Sequence, residues 1–284
     1  MAKKAFRFGV VAGGHPSRAE WITLAQRVEE LGYSSLLMPD VVRTPLAALT
    51  ALAVAATATT KLRVGSFVIV NDYRNPALLA REIATLDQLT DGRVELGLGA
   101  GNWPQDFQQL GIPFDEPGIR VSRFIEGLTI IKRFFTDETV NFSGKYYTIT
   151  GLQPIPRPAQ QPHPPILIGS HGRRMLTLAA READIITLAP PAEEKIEWIR
   201  EAAGERFEHL EFGQPVFGIE LTDSPVAAPA PARQGIPVEP RPMTTEQAVE
   251  YLLEQREKLG FSYIHIQERQ LENFAPVLAR LNGK

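Results

Sequence analysis

Residues 62–102 read LRVGSFVIVNDYRNPALLAREIATLDQLTDGRVELGLGAGN. The opening LRVGSFVIV is a nearly continuous apolar run of strand length, and RVELGLG near the end is a second. Between them Asn75-Pro76 starts a helix that runs to about Leu89. The asparagine side chain can receive an orphan amide, and the proline has no amide to leave unpaired and a φ already fixed for a helix. Asp91-Gly92 then makes the turn into the next strand. Strands without strict polar alternation are expected where both faces of a sheet are covered, so the stretch predicts a parallel strand–helix–strand unit.

The same unit repeats outward in both directions. Toward the amino end, Phe6 to Ala12 is a strand, and a helix follows from about Arg18 to Leu31, where Ser17 and Glu20 have capping-box spacing. The helix stops at Gly32, SSLLMP forms the next strand, and Thr44-Pro45 opens another helix. Toward the carboxyl end come a helix from about Ile119 to Phe135, a strand at Pro165–Gly169 and a helix from Gly172 to Ala183. A strand at Asp184–Leu188, a helix from Ala192 to about His209 and a strand at Val216–Glu220 continue the series. Thr244 with Gln247 caps a helix ending near Gly260, FSYIHI is the eighth strand, and a helix from Leu271 to Leu281 closes the chain. Eight strands alternating with helices predict an α/β fold, a TIM-like (β/α)8 barrel with insertions, with a doubly wound sheet as the structural alternative. One barrel domain over residues 1–284 is expected. Residues 136–165, which combine a hairpin composition around Ser143-Gly144 with a proline-rich run, would be inserted within it, and residues 221–242 would form an irregular excursion.

Composition narrows the function. The 284 residues are 44% hydrophobic and 22% charged, enough to bury a large core, and Lys plus Arg number 30 against 33 Asp plus Glu, a net charge of -3. No basic tail or block offers a nucleic-acid footprint. The sequence has no cysteine, so disulfide frameworks, thiolate nucleophiles and Cys-based metal sites are excluded. The start MAKKAFRFGVVAGG breaks too early for a signal peptide, and LAALTALAVAATATT is too short for a membrane span, so a cytoplasmic chain is expected. The five histidines form no local metal motif, and no metal is expected. GxSxG is absent, which leaves serine-hydrolase chemistry without local support.

In a barrel the loops after the strand carboxyl ends carry chemistry. They contain His15, Asp40, Asn71 through Arg74, Asn102 with Trp103, and Gly169 through Arg174. IGSHGRR is the best anion candidate, because amides at a helix start near Gly172 can point at a phosphate and Arg173 or Arg174 can add charged donors. An ordinary turn with two solvated arginines would read the same way. LGLGAGNW lets a flat ligand approach the backbone at Gly99 or Gly101 with Asn102 or Trp103 bordering it, or is simply close strand packing and a flexible loop. His15 and Asp40 could meet as an acid–base pair, or serve as a wet-loop histidine and a helix-capping aspartate.

FRFGVVAGG, EELGYSSLLMPD, the 62–102 stretch and PPILIGSHGRRMLTLAAREADIITLAP together resemble the luciferase-like monooxygenase superfamily. The likeness is strongest to its coenzyme F420-dependent oxidoreductases related to methylenetetrahydromethanopterin reductase, and it covers most of residues 6 to 190. It implies a ring cofactor at the strand carboxyl ends, backed by a β-bulge and a non-proline cis peptide at Phe67-Val68. It also implies cofactor contacts from Ser66, Phe67, Val68, Asn71 and Gly99, and phosphate contacts from Gly169, Ser170, His171, Gly172, Arg173 and Arg174. Asp40 falls where F420 enzymes often carry an aspartate, but Val41 stands where several carry a histidine and Asn102 where some carry an acid. His15, Asp40 and Asn102 are the implied catalytic candidates. The expected activity is hydride transfer between F420 and a small organic substrate. An FMN-dependent monooxygenase and a non-enzymatic ligand-binding barrel are the alternatives. Beyond a small-molecule substrate, no nucleic-acid or membrane partner is implied, and a homodimer is the assembly considered.

Overall fold

The computed structural model describes residues 4–13, 15–223 and 239–284. Eight parallel strands form its centre: β1 (Arg7–Val11), β2 (Ser35–Met38), β3 (Arg63–Ser66, continuing as Ile69–Val70), β4 (Val94–Gly99), β5 (Ile166–Gly169), β6 (Ile185–Thr187), β7 (Glu211–Pro215) and β8 (Phe261–Gln267). They pair in sequence order around a ring, with β8 returning to β1 and β3 meeting β4, so the sheet closes. Helices α1 (Arg18–Glu30), α2 (Ala48–Thr57), α3 (Pro76–Leu89), α4 (Pro117–Thr136), α5 (Arg173–Glu182), α6 (Glu193–Ala203), α7 (Thr245–Leu259) and α8 (Leu271–Leu281) surround it. The expected (β/α)8 barrel is therefore present, and the doubly wound alternative is not.

The apolar core lies between barrel and helices. Phe8, Leu36, Val64, Leu96 and Ile186 point outward from their strands and are fully buried under the helix layer. The alternate residues face inward, as strand periodicity requires. At the amino ends of the strands these inward residues are charged: Glu95 accepts from Arg7 at 2.5 Å, Arg63 at 2.8 Å and the Tyr263 hydroxyl at 2.9 Å, while Glu211 takes a two-pronged bond from Arg7. Above this layer Leu37, Leu167, Ile185 and Tyr263 fill the lumen, with Val11, Phe67 and Val68 packed on them.

Local signals were realised unevenly. Asn75 caps α3 by accepting from Ala77 and Leu78 amides, and Thr244 and Gln247 form the full capping box of α7. Ser17 caps α1 by accepting the Glu20 amide, but the Glu20 carboxylate accepts from the Ser17 hydroxyl instead of returning to the cap amide. Thr44-Pro45 does not open α2. Thr44 spends its hydroxyl on Val41 and Leu46 carbonyls, and the helix begins at Ala48 without a side-chain cap.

The seventh strand also corrects the sequence reading. It is Glu211–Pro215, not Val216–Glu220; Ile219–Leu221 instead forms a small parallel ladder with Arg241–Met243 outside the barrel. The irregular excursion expected at 221–242 falls mostly on residues 224–238, which lie outside the described residues. Within 136–165, Val140–Ser143 and Thr148–Leu152 make the expected antiparallel hairpin. The Glu126 carboxylate on α4 holds its turn by accepting the amides of Lys145, Tyr146 and Tyr147. The proline-rich run then carries Gln160 to the lower rim, where it bonds Asp87, Val94 and Arg63.

Candidate active site at the carboxyl ends of the strands

The floor of the upper barrel is built by an irregularity in β3. Val64 and Gly65 pair with Val94 and Glu95, whereas Ile69 and Val70 pair with Leu98 and Gly99, so the pairing offset falls from 30 to 29 residues and β3 carries one extra residue. That is a β-bulge. Between the two pairings the Phe67-Val68 peptide is cis, as the family resemblance implies. Ser66 locks the lower edge of the bulge: its hydroxyl donates to the Gly97 carbonyl at 2.8 Å and accepts the Gly97 amide at 3.0 Å. Its hydroxyl thus joins β3 to β4.

The bulge turns Phe67 and Val68 into the lumen, where both remain partly exposed. A Cβ on Gly99 would meet Val68 Cγ2 at 2.7 Å, so glycine there is what lets the shelf sit against β4. From the shelf downward, tilted rings follow one another in the lumen. Phe67 lies 4.7 Å from His265, His265 lies 4.2 Å from Tyr263, and the Arg7 guanidinium lies over the Tyr263 ring at 3.4 Å. His265 is completely buried, and neither ring nitrogen has a hydrogen-bond partner. Burial, reinforced by Arg7, pushes its pKa well below the usual imidazole value. Thr187 Oγ1 is likewise buried and unpartnered.

Across the mouth, Gly169, Ser170, His171 and Gly172 lead into α5, and Gly172 is its N-cap with no side chain capping the helix. The Ser170 amide is bonded to the Thr187 carbonyl at 3.3 Å. His171 through Arg174 are exposed. Partial desolvation and nearby Lys195 lower the His171 pKa from the usual imidazole value. The arginines diverge. Arg174 donates to the Gly118 carbonyl and to Ser122 Oγ on α4, both at 2.9 Å, while Arg173 stacks over Trp198 at 5.4 Å and stands 3.8 Å from Glu201.

The remaining sequence candidates separate. Asp40 takes a two-pronged bond from Arg74 at 2.8 and 3.0 Å and the Val70 amide at 3.1 Å. It therefore braces the end of β3 and does not meet His15. His15 instead bonds Glu268, the first residue after β8. Sequence reasoning missed Glu268, because nothing local connects two residues at opposite ends of the chain; the β1–β8 closure brings them together. The Asn71 carboxamide is buried, donates to Asp72 and to the Tyr147 hydroxyl, and lies against Gly127 of α4. Asn102 is exposed on the loop after β4. Beside the mouth, a groove of about 570 Å³ is lined by Asp72, Tyr73, Arg74, Arg123, Lys145 and Tyr147, among others.

A closed parallel barrel carrying the cis Phe67-Val68 shelf and an uncapped helix start at its carboxyl end has the α/β TIM-barrel architecture, with its open face where such barrels place their sites. The luciferase-like monooxygenase family model matches residues 5–237, and the chain belongs to that family. An uncharacterised protein of Mycobacterium tuberculosis is 32% identical over 184 residues, a match spanning 57% of this chain and 62% of that protein. The coenzyme F420-dependent tetrahydromethanopterin reductase of Methanopyrus kandleri superposes with a TM-score of 0.80 at 18% identity, covering 98% of this chain and 100% of that one. The oxygenating constituent of 3,6-diketocamphane monooxygenase from Pseudomonas putida, a type II Baeyer-Villiger monooxygenase in complex with FMN, superposes with a TM-score of 0.74 at 16% identity, covering 99% and 98%. Among the described residues no helix is long and apolar enough to cross a membrane, and no cluster of His, Asp and Glu could hold a metal ion.

Proposed function

We propose that the protein is an F420-dependent oxidoreductase that transfers a hydride between the deazaflavin and a small organic molecule. The observation that carries this reading is the partly exposed Phe67-Val68 shelf at the same end of the barrel as the uncapped start of α5, an apolar floor and a set of amide donors of the kinds that a flat ring bearing a phosphate needs. Bound there, F420 would supply a carbon centre that gives or accepts hydride. The chain's own work is to hold and shield. Phe67 and Val68 would support one ring face, and Gly99 would admit the ring by keeping β4 clear of side chain. The amides from Gly172 onward, with Arg173 and Arg174, would hold the phosphate.

The groove beside the mouth favours F420 over FMN. F420 carries an acidic oligoglutamate tail that FMN lacks, and Arg74, Arg123 and Lys145 line this groove. Arg74 and Arg123 are paired with Asp40, Asp72 and Asp115, so the attraction rests most on Lys145, which has no ion pair among the described residues. Titration of the purified protein with F420 and with FMN, followed by fluorescence, tests the proposal. Saturable F420 binding that is weakened by Lys145→Ala is expected. Binding of FMN alone, followed by oxygen consumption once it is reduced, would establish a monooxygenase instead.

A further inference from the structure

His15 lies in the loop after β1 and Glu268 in the turn after β8, two neighbouring strands, so both stand at the carboxyl rim of the lumen. The His15 Nε2 atom and a Glu268 carboxylate oxygen form a short direct bond. Both side chains are about one-third exposed, at 35% and 29%, so the pair is neither core nor freely solvated. His15 Nδ1 has no hydrogen bond among the described residues. A carboxylate only accepts, so it fixes the neutral ring with its proton on Nε2 and leaves the Nδ1 lone pair available. This is the arrangement of a base held by an orienting carboxylate.

The neighbouring charges do not compete for Glu268. Arg269 on the same turn is bonded to the Gln267 side chain and the Phe217 carbonyl and lies 3.7 Å from Glu220. Asp40, the other carboxylate expected to partner His15, is occupied by Arg74.

We propose that His15 and Glu268 form an acid–base dyad serving the mouth, with His15 as the proton-exchanging group and Glu268 as its positioning residue. Resting on the oxidoreductase reading, this assigns the substrate to the class that exchanges a proton together with a hydride, a carbonyl–alcohol couple. In the reducing direction a bound reduced ring cofactor would supply hydride to the carbonyl carbon, and the π pair would move to oxygen. That oxygen takes the Nδ1 proton of the protonated His15. The ring is left neutral, still donating Nε2–H to Glu268, and a solvent proton restores it.

Carbethoxylation by diethyl pyrocarbonate, mapped by peptide mass spectrometry on the apoprotein, tests the dyad without turnover. His209 is exposed and serves as the internal reference, and fully buried His265 reports any unfolding. His15 should react roughly 10-fold faster than His209, since a charge-assisted bond at Nε2 sharpens Nδ1 by that order. Glu268→Gln and Glu268→Ala should each remove this excess while His265 stays unmodified. Saturating F420 should protect His15 and leave the His209 rate unchanged. The dyad is overturned if both Glu268 variants, with His265 still silent, leave the His15 rate where it was, or if His15 stays open to reagent while F420 fluorescence shows the site filled. If F420 does not bind, the cofactor reading fails, and the comparison of variants on the apoprotein still decides the dyad.

Discussion

Replacing Glu95 by glutamine should destabilise the barrel without changing its shape. The wild-type carboxylate is 2% exposed and receives Arg7, Arg63 and the Tyr263 hydroxyl. Burial alone would raise its pKa, but the Arg7 and Arg63 charges and the bonds from Arg7 and Tyr263 hold it below the usual carboxylate value. The amide removes one of two negative charges, Glu95 and Glu211, that balance two guanidiniums. Breaking a buried pair on one side costs about 3–5 kcal/mol. The lower end applies here, since Arg7 keeps Glu211, Arg63 keeps the Val94 carbonyl and Gln160, and Tyr263 keeps Ser35. A loss of ~3 kcal/mol corresponds to a fall in Tm of about 5 °C in a chain of this size, whose unfolding entropy is on the order of 0.6 kcal/mol/K. Urea and thermal unfolding followed by circular dichroism would measure it. A loss below ~1 kcal/mol would refute the view that this network, and not the apolar layer above it, closes the bottom of the barrel.

Other outcomes follow from the same geometry. His265→Leu should raise stability by about 1 kcal/mol, because it removes two buried unpartnered nitrogens. The variant should also lose an acid lability of the wild type. Folded His265 stays neutral far below 6.5, so the unfolded state takes up the extra proton as pH falls through 6.5 and wild-type stability declines; denaturant midpoints at pH 7.5 and 5.5 would reveal a smaller drop in the variant. Gly99→Val should abolish ring-cofactor binding by pushing Val68 from the shelf while the far-ultraviolet circular dichroism stays native. Replacing Arg173 and Arg174 together by alanine should weaken F420 binding about 10-fold and leave some affinity, since the α5 amides remain. Equal affinity in titrations of wild type and double variant would move the phosphate elsewhere.

The barrel was legible because parallel strands buried on both faces write long apolar runs, as in LRVGSFVIV and RVELGLG. The seventh strand was not, because EFGQP satisfies constraints that only the closed ring imposes. Gly213 is there since a Cβ would meet His265 Cε1 and Thr187 Oγ1, each at 2.6 Å, and Gln214 points outward to bond Tyr251. VFGIE, five residues on, has the better strand composition and lies outside the barrel. The cis shelf and the α5 start were reachable through the ordered run of family-like segments. Glu268 was not, nor was the commitment of Asp40 to Arg74, because a side chain's partner depends on which loops meet at the rim.

Segment 136–165 touches β3 at both extremities. Tyr147 bonds Asn71 just past its upper end, and Gln160 bonds Arg63 at its lower end. Strands rise about 3.3 Å per residue, so the distance the segment must cover is fixed by the height of the wall it runs along. Insertions and deletions usually accumulate in surface connections; here a shortening between Tyr147 and Gln160 would have to release one anchor. The stretch behaves as a measured strap, and its length, unlike that of an ordinary loop, is expected to drift little wherever both anchors are retained.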